Sequence, residues 1–587
     1  MQTWSPDDKK IISAEIEKLL CKGAISVVQP CEGQYLSTIF TVPKPDGSAR
    51  LILNLKKFNV FVKTDHFKLE DNRVVTKLIT RDCYMAKLDL QEAYFSVPLD
   101  EADRKFMRFS FDGSLYEFNC LCFGLNCAPM LFTKLMKPVV SFLRGKGHMS
   151  VIYLDDFLLI GKNYKECQMN ILETVSFLDY LGFIINYDKS ILVPKKECIY
   201  LGFEYNSENM TISLPTDKRR RLLSMLLKFK RRKQCSIREF AKIIGKLVAA
   251  CPAMRFGYLY TKLLEREKFL ALKRSGGAYD SIMQIRAHLR DDIEWWIRNI
   301  PYSNNLIRRD EFQLELFTDA SNSGWGAHAN DISCQGFWSE DEKKHHINYL
   351  ELLAVFFGLK CFIKDLSNCS VLCRIDNTTA LTYINRMGGI QFPKLNKLAR
   401  TIWQWAEFRN IFLLASYVRS EDNVEADRAS RSLHKDTEWV LADYAYQELV
   451  SRFGCPDIDL FASRINKKCR VYVAWQRDPD ALTINAFTLN WKNYFFYAFP
   501  PFSIILRTLR KIIDDEAEGI MVVPVWPTQP WYPLYLSLVV QEPVIFKPNR
   551  NLLQFDRAPH PLWENLSLMG GRLSGKHYNL QECQRNR

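Results

Sequence analysis

Apolar positions along this chain switch repeatedly between a spacing of two and a spacing of three to four. Asp7 to Leu20 follows the longer period and predicts a helix ending near Lys22-Gly23. Leu36 to Pro43 and Arg50 to Asn54 read as strands joined by the turn Lys44-Pro45-Asp46-Gly47. The runs Val151-Ile152-Tyr153-Leu154 and Phe157-Leu158-Leu159-Ile160 predict a hairpin with buried arms and Asp155-Asp156 at its tip, and Lys87-Leu88-Asp89-Leu90 reads as a further strand. From Thr216 to about Asn299 the pattern is helical. Strands and helices alternate again from Glu315 to about Ser432, including a helix Ile347 to Ile363 and a strand Ser370 to Ile375. Trp439 to about Val544 is a third unit rich in Trp, Tyr, Phe and Pro, and the polar remainder from about residue 555 is expected to be a mobile tail.

A chain of 587 residues is too long for one core. The pattern divides it into an α/β multidomain protein: 1–215, 216–312, 313–434, 435–550 and a tail 551–587. With 47% apolar and 13% aromatic residues, disorder is not the default for any long stretch. The 80 Lys and Arg exceed the 66 Asp and Glu by 14, which favours a polyanionic partner. Lys218 to Lys233 (KRRRLLSMLLKFKRRK) holds nine cations and no acid, with Leu222, Leu223, Leu226 and Leu227 at helical spacing. Such a helix is either a solvated face or a phosphate-contacting one. The 17 cysteines show no paired metal-ligand spacing, so reduced thiols in an intracellular compartment, nucleus or cytoplasm, are expected. A signal pattern and an apolar run of the ~18 residues that span a bilayer are both missing, so no membrane partner is expected.

A bare Asp-Asp pair in a hairpin is most simply a turn. Its context changes that reading, because MAKLDLQEAYFSVPLD, LCFGLNCAPMLF, YLDD and LGFIINYDKS occur in this order. They resemble the successive motifs of reverse transcriptases over about residues 15–265. The resemblance implies a right-hand fold of fingers, palm and thumb, with Asp89, Asp155 and Asp156 as metal-binding carboxylates. Nucleotidyl transfer uses two Mg2+ ions (Mn2+ as an alternative) about 3.5–4 Å apart, which hard oxygen ligands hold. By the same matching, Lys44 and Arg50 would hold the incoming dNTP triphosphate, and Lys189 would protonate the leaving pyrophosphate. Tyr94 would lie beneath the sugar and exclude a 2′-hydroxyl, and Phe123 and Gly124 would flank the nascent base pair. Tyr94 and Phe123 also read as plain core residues. Cys122 stands where many relatives have proline. Leu201-Gly202-Phe203 resembles the primer-grip hairpin, which puts the basic helix in the thumb. Lys218, Arg219, Arg231, Arg232 and Lys233 are then candidates for gripping an RNA template or a DNA primer/template.

Asp319 ends a strand, Glu351 sits in an apolar helix, Asp376 follows a strand, and Asp427 follows Asn423-Val424-Glu425-Ala426. Singly these are ordinary acids. As an ordered set over about 315–432 they resemble the Asp-Glu-Asp-Asp site of RNase H, which implies a second two-metal site cutting the RNA strand of an RNA–DNA hybrid. Tyr417 departs from that family at a position where many relatives have histidine.

Beyond it, EWVLADYAYQELVSRFGCPDIDLFASRINKKCRVYVAW, YAFPPFS and VVPVWPTQPW resemble the region that follows RNase H in DIRS-type (tyrosine-recombinase) retroelements. The same segment resembles Dam-like adenine methyltransferases, which use S-adenosylmethionine. Phe499 replaces the Asn or Asp that would accept the adenine amine, so a methyltransferase-like remnant without amine activation is expected. The chain is expected to be a fragment of a larger polyprotein or a truncated copy. The rival readings are a catalytically dead or domesticated nucleic-acid-binding protein and a telomerase-like cellular polymerase. The intact Asp89, Asp155 and Asp156 speak against the first, and the roughly 35 residues before the fingers speak against the second.

Overall fold

The computed structural model describes residues 4–43, 49–307, 311–432, 438–556 and 558–577. Contacts divide the chain into two units: residues 1–257 with 280–310, and residues 258–279 with 311–587.

At the centre of the first unit is a four-stranded antiparallel sheet in the order Met149–Tyr153, Asp156–Gly161, Tyr84–Asp89, Ile191–Lys195. Every residue from Phe157 to Gly161 is buried. The helices Ala128–Gly145 and Tyr164–Tyr180 contribute Phe132, Met136 and Leu143, and Cys167, Ile171 and Leu178, to one core with Ala86, Leu88, Phe157 and Leu159. The predicted N-terminal helix spans Pro6–Cys21; the Ser5 side chain accepts from the Asp8 N–H (3.1 Å) and so satisfies one of its free donors. The strands Thr38–Pro43 and Ala49–Asn54 pair antiparallel as expected, while their turn and Lys44 lie outside the described residues. Nearby, Arg108 and Glu117 form a buried pair (2.5 Å), and the guanidinium also donates to the Gln29 carbonyl (3.1 Å) and Gln34 (2.8 Å). A buried pair survives only with its remaining donors satisfied in this way. The basic helix runs Thr216–Lys230 and buries Leu222, Leu226 and Phe229, whereas Leu227 stays exposed.

The second unit holds two larger sheets. One has five strands in the order Ile332–Phe337, Gly324–Ala329, Leu314–Ala320, Ser370–Ile375, Phe412–Tyr417, antiparallel up to the third strand and parallel from it onward. The helix Ile347–Ile363, buried almost all round, packs on it. The other has six strands in the order Val471–Tyr472, Ile458–Asp459, Phe495–Ala498, Glu518–Pro524, Leu568–Ser574, Val544–Phe546. Among the described residues every cysteine is free, and no helix is long and apolar enough to cross a membrane.

Two expected boundaries differ from the structure. The segment 216–312 does not stay together: the helix Lys262–Arg274 belongs to the second unit, where the Tyr260 hydroxyl donates to Glu407 and the Arg266 guanidinium to the carbonyls of Ile390 and Gln391. An excursion of this kind leaves no mark on a linear pattern. The polar tail expected from residue 551 is instead partly sheet, with strands Leu553–Phe555 and Leu568–Ser574, the latter paired on both sides. Gly570 and Gly571 hide it, because glycine dilutes a strand signature. A Cβ at Gly570 would lie 2.5 Å from Leu449 Cδ2, so the missing side chain is what lets the helix Asp443–Phe453 approach. Gly570→Val should therefore destabilise this part by about 1–3 kcal/mol through overpacking. Denaturant unfolding followed by tryptophan fluorescence reads the change, and an unaltered profile would contradict the close approach.

Candidate active sites

In the first unit the predicted hairpin closes on Leu154 and Asp155. Tyr153 pairs with Asp156, and Leu154 takes the left-handed conformation (φ 57°). Asp89, the last residue of its strand, pairs with Asp156 on the neighbouring strand, and the Leu90 N–H donates to the Asp155 carbonyl (2.9 Å). The three acids named from sequence thus meet at one end of the sheet. Burial raises both Asp89 and Asp155 above the usual carboxylate range. The neighbouring carboxylates push Asp155 the same way against Arg50, and at Asp89 the Asp156 charge opposes Lys189 and Lys87. Asp156 is not equivalent to the other two, because its Oδ1 lies 3.1 Å from Lys87 Nζ. Sequence reading passed over Lys87 and two braces: Ser190 Oγ accepts from the Asp89 N–H (3.1 Å), and the buried Tyr200 hydroxyl bonds the carbonyls of Val151 and Asp156 (3.1 and 3.0 Å).

Beside the acids, the half-buried Tyr94 ring lies 5.3 Å from Phe123 and 5.8 Å from Phe132. The Arg50 guanidinium sits 4.3 Å over the Phe123 ring, a cation–π contact that orders its charge near Asp155. Gly124 (φ 112°) could carry no side chain, since a Cβ would meet the Leu53 carbonyl oxygen at 2.1 Å. Lys189 is exposed.

In the second unit Asp319, Glu351 and Asp376 each offer a carboxylate oxygen within 4.8 Å of the others. The Ser430 hydroxyl donates to Asp319 (2.6 Å), and the Ser420 hydroxyl to Asp376 (2.8 Å). Glu351 Oε2 is buried with no hydrogen-bond partner among the described residues, and burial pushes this carboxyl up to about 9, with Asp319 and Asp376 adding to the effect. Three clustered carboxylates with one unsatisfied buried oxygen are the donor set a hard divalent cation takes. Asp427 stands outside this group. Its Oδ1 pairs with Arg431 (2.7 Å), one turn on in the helix Val424–Arg431, although its charge still raises Asp319. Tyr417 is half-exposed at the end of its strand.

Residues 42–205 match the model of the reverse transcriptase (RNA-dependent DNA polymerase) family. They form a reverse transcriptase domain. It encloses Arg50, Asp89, Tyr94, Phe123, Gly124, Asp155, Asp156 and Lys189. The chain is also similar to the enzymatic polyprotein of Cauliflower mosaic virus (strain Strasbourg), 23% identical over 463 residues, which covers 74% of this chain and 62% of the relative. With that of Figwort mosaic virus (strain DxS) it shares 24% identity over 460 residues, covering 74% and 63%. The chain therefore spans less than two thirds of these relatives. Among solved structures it is similar to the foamy viral protease-reverse transcriptase in complex with double-stranded DNA (17% identity, TM-score 0.47, covering 71% of this chain and 84% of that one). It is similar also to that protein in complex with an RNA/DNA hybrid (19% identity, TM-score 0.45, covering 71% and 54%).

The cations expected to grip nucleic acid after the reverse transcriptase domain are in different situations. Arg219 is spent within the chain, on the carbonyls of Leu214 (2.7 Å) and Pro301 (3.1 Å). Lys218 donates to the Gly202 carbonyl (3.1 Å) in the turn of the expected primer-grip hairpin and lies 4.7 Å over the Phe203 ring; burial lowers its pKa. Arg232 pairs with Glu239. Arg231 and Lys233 follow the end of the helix and are exposed.

Glu351 makes the acid cluster of the second unit sensitive to pH. A carboxyl whose folded-state pKa of about 9 lies above its ordinary 4.5 lets stability fall as pH rises between those values, because the unfolded chain sheds the proton first. Metal-free protein should lose thermal stability from about pH 5 to about pH 8.5, and Glu351→Gln should flatten that loss. Melting curves in chelator would show it; a variant with the wild-type pH slope would locate the sensitivity elsewhere.

Proposed function

We propose that this chain is a DNA polymerase copying RNA and DNA templates, and that its second acidic site cleaves the RNA strand of RNA–DNA hybrids. The observation that carries the first half is the convergence of Asp89, Asp155 and Asp156 within the segment that matches the reverse transcriptase family. For the second half it is the cluster of Asp319, Glu351 and Asp376 around an unsatisfied carboxylate oxygen. DNA primer/template, RNA template, RNA–DNA hybrid and dNTPs are the proposed ligands. The parent element is proposed to be a DIRS-type retrotransposon acting in the cytoplasm or nucleus, a reading supported by the sequence after residue 435 and the free cysteines.

Asp89 and Asp155 in one site, and Asp319, Glu351 and Asp376 in the other, are the residues that would hold Mg2+ or Mn2+. The ions would supply activation of the attacking hydroxyl or water and neutralisation of the departing phosphate. The chain's own groups do the rest. Arg50, held over Phe123, presents a planar guanidinium to the triphosphate. The exposed Lys189 carries at Nζ the proton that the leaving pyrophosphate takes. Tyr94, fixed between Phe123 and Phe132, is the floor beneath the sugar. Asp427, tied to Arg431, acts on the second site through its charge on Asp319.

The two chemistries should be separable, because their carboxylates belong to different units. Asp155→Asn preserves side-chain size but removes a ligand charge, so primer extension should fall by orders of magnitude while cleavage of a preformed hybrid persists. Asp319→Asn should do the reverse. Both variants are assayed for both activities after their folds are confirmed by circular dichroism; loss of both activities in either one contradicts two independent sites. Folded wild-type protein that extends no primer with either metal would favour the inactive nucleic-acid-binding alternative.

Tyr94→Ala removes the bulk beneath C2′ and should raise ribonucleotide incorporation by at least about tenfold relative to deoxyribonucleotide, as expected of a steric gate worth more than one methylene. Competition assays with matched nucleotide pairs measure it. Unchanged discrimination would return Tyr94 to a packing role.

A further inference from the structure

The last carbonyls of an α-helix have no partner within the helix. At the end of the helix Ile347–Ile363, which carries Glu351, the Cys361 carbonyl accepts from the Arg477 guanidinium (2.9 Å), and that guanidinium also lies 5.2 Å over the Phe362 ring. Beside it Lys360 Nζ pairs with Asp480 (2.7 Å), and Lys364 Nζ donates to the Ala481 carbonyl (3.0 Å). A cation at this end also suits the negative pole of the helix. Arg477 to Ala481 lie outside the five-stranded sheet on which the helix packs; they follow Val471–Tyr472, a strand of the six-stranded sheet.

A second arm follows the neighbouring strand Ile458–Asp459, which pairs parallel with Val471–Tyr472. Its Arg464 forks onto Glu342 (2.9 Å from each guanidinium nitrogen), donates to the Phe337 carbonyl (3.0 Å) and lies 4.5 Å over the Phe357 ring. One side chain thereby joins the end of the strand Ile332–Phe337, the connection after it and the Glu351 helix itself. The arginine side chain is 13% and the glutamate 20% exposed, so the pair has given up most of its water and depends on this geometry. Phe357 is buried, with the Trp325 and Trp338 rings 5.4 and 5.9 Å away. Asp478 ties the two arms to each other: its carboxylate accepts from the Arg464 N–H (2.9 Å), the Asp480 N–H (3.2 Å) and the Tyr472 hydroxyl.

We propose that Arg464 and Arg477 are positioning residues for Glu351: the six-stranded sheet grips the helix at Phe357 and at its last turn, and so fixes where Glu351 stands against Asp319 and Asp376. The three acids come from a strand, a helix and the end of another strand, so no single hydrogen-bonded ladder sets all of them in register. Packing of the helix decides the third position. A helix moves as a rod, and a small shift or rotation at Phe357 or Cys361 is carried to the Glu351 carboxyl. The inference rests on the reading of Asp319, Glu351 and Asp376 as a metal site. It gives the sequence after residue 435 a task that requires no ligand or chemistry of its own.

The test uses the full chain in an Asp155→Asn background, which removes a ligand from the first site. Mn2+ is titrated by calorimetry, the second site being recognised by the binding that Glu351→Gln abolishes, and hybrid cleavage is followed in parallel. Arg477→Met and Arg464→Met should each weaken that Mn2+ binding about tenfold and lower kcat for cleavage by about tenfold or more, with KM for the hybrid unchanged. Primer extension by the same variants with Asp155 intact should keep the wild-type rate. Arg477→Lys should recover most of the affinity, because an ammonium can still donate to the Cys361 carbonyl; Arg464→Lys should not, because one ammonium cannot reproduce the fork. Arg464→Met leaves Glu342 buried without its partner, so Arg477→Met decides the matter if that variant does not fold. Side chains that only fasten the sheet to the helix would lower the melting temperature and leave the Mn2+ affinity of folded protein unchanged; that result in Arg477→Met overturns the proposal. A wild-type chain that binds Mn2+ through Glu351 yet cleaves no hybrid would sink the cleavage reading and leave the affinity comparison standing, whereas no Mn2+ binding through Glu351 overturns both.

Discussion

Carboxylates gathered at strand ends repel one another and lose water, and the organisation of both acidic sites follows from holding them together against that cost. In the first unit the backbone does the work. Antiparallel pairing sets Asp89 opposite Asp156, a tight turn presents Asp155, and the Tyr200 hydroxyl ties the two arms of the hairpin together from beneath. In the second unit side chains do more of it, since Glu351 comes from a helix buried almost all round and hydroxyls of Ser430 and Ser420 hold Asp319 and Asp376. The raised pKa values of Asp89, Asp155, Asp319 and Glu351 record the strain of the arrangement.

The cations are distributed accordingly. Lys87 answers Asp156 and Arg431 answers Asp427, which divides each acid set into members with a partner and members without. Asp89, Asp155, Asp319 and Asp376 make no ion pair among the described residues, and burial keeps Glu351 protonated near neutral pH until a cation or a base takes its proton. Net charge alone therefore says little about function here. Several cations of the basic stretch serve the fold, with Arg219 capping carbonyls and Arg232 paired, while Arg231 and Lys233 remain at the surface.

The C-terminal part of the second unit is organised by strand order instead. Its parallel strands leave a cavity where the strand order reverses, and its walls are aromatic and acidic where a phosphate site would be glycine-rich and basic. The strand Leu568–Ser574, paired between Glu518–Pro524 and Val544–Phe546, completes the sheet that supports this cavity.

Much of this was legible in the residues. The hairpin bearing Asp155 and Asp156, the strand ending at Asp89, the helix Ile347–Ile363 around Glu351 and the strand before Asp376 all follow from local pattern: continuous apolar runs mark the buried Phe157–Gly161 and the almost wholly buried Ile347–Ile363, and alternation marks the half-buried Ser370–Ile375. Four ordered motifs also pointed to the domain that residues 42–205 form. Long-range pairing was not legible, because it depends on which elements meet and not on the order in which they occur. That Asp427 turns to Arg431, that Asp156 turns to Lys87, that Arg219 is consumed by carbonyls, that Lys262–Arg274 crosses to the second unit, and that two glycines admit a helix against Leu568–Ser574 were all decided by tertiary structure. Local sequence sets which backbone period a segment can bury; only the assembled chain sets which charges find partners and which are left for a ligand.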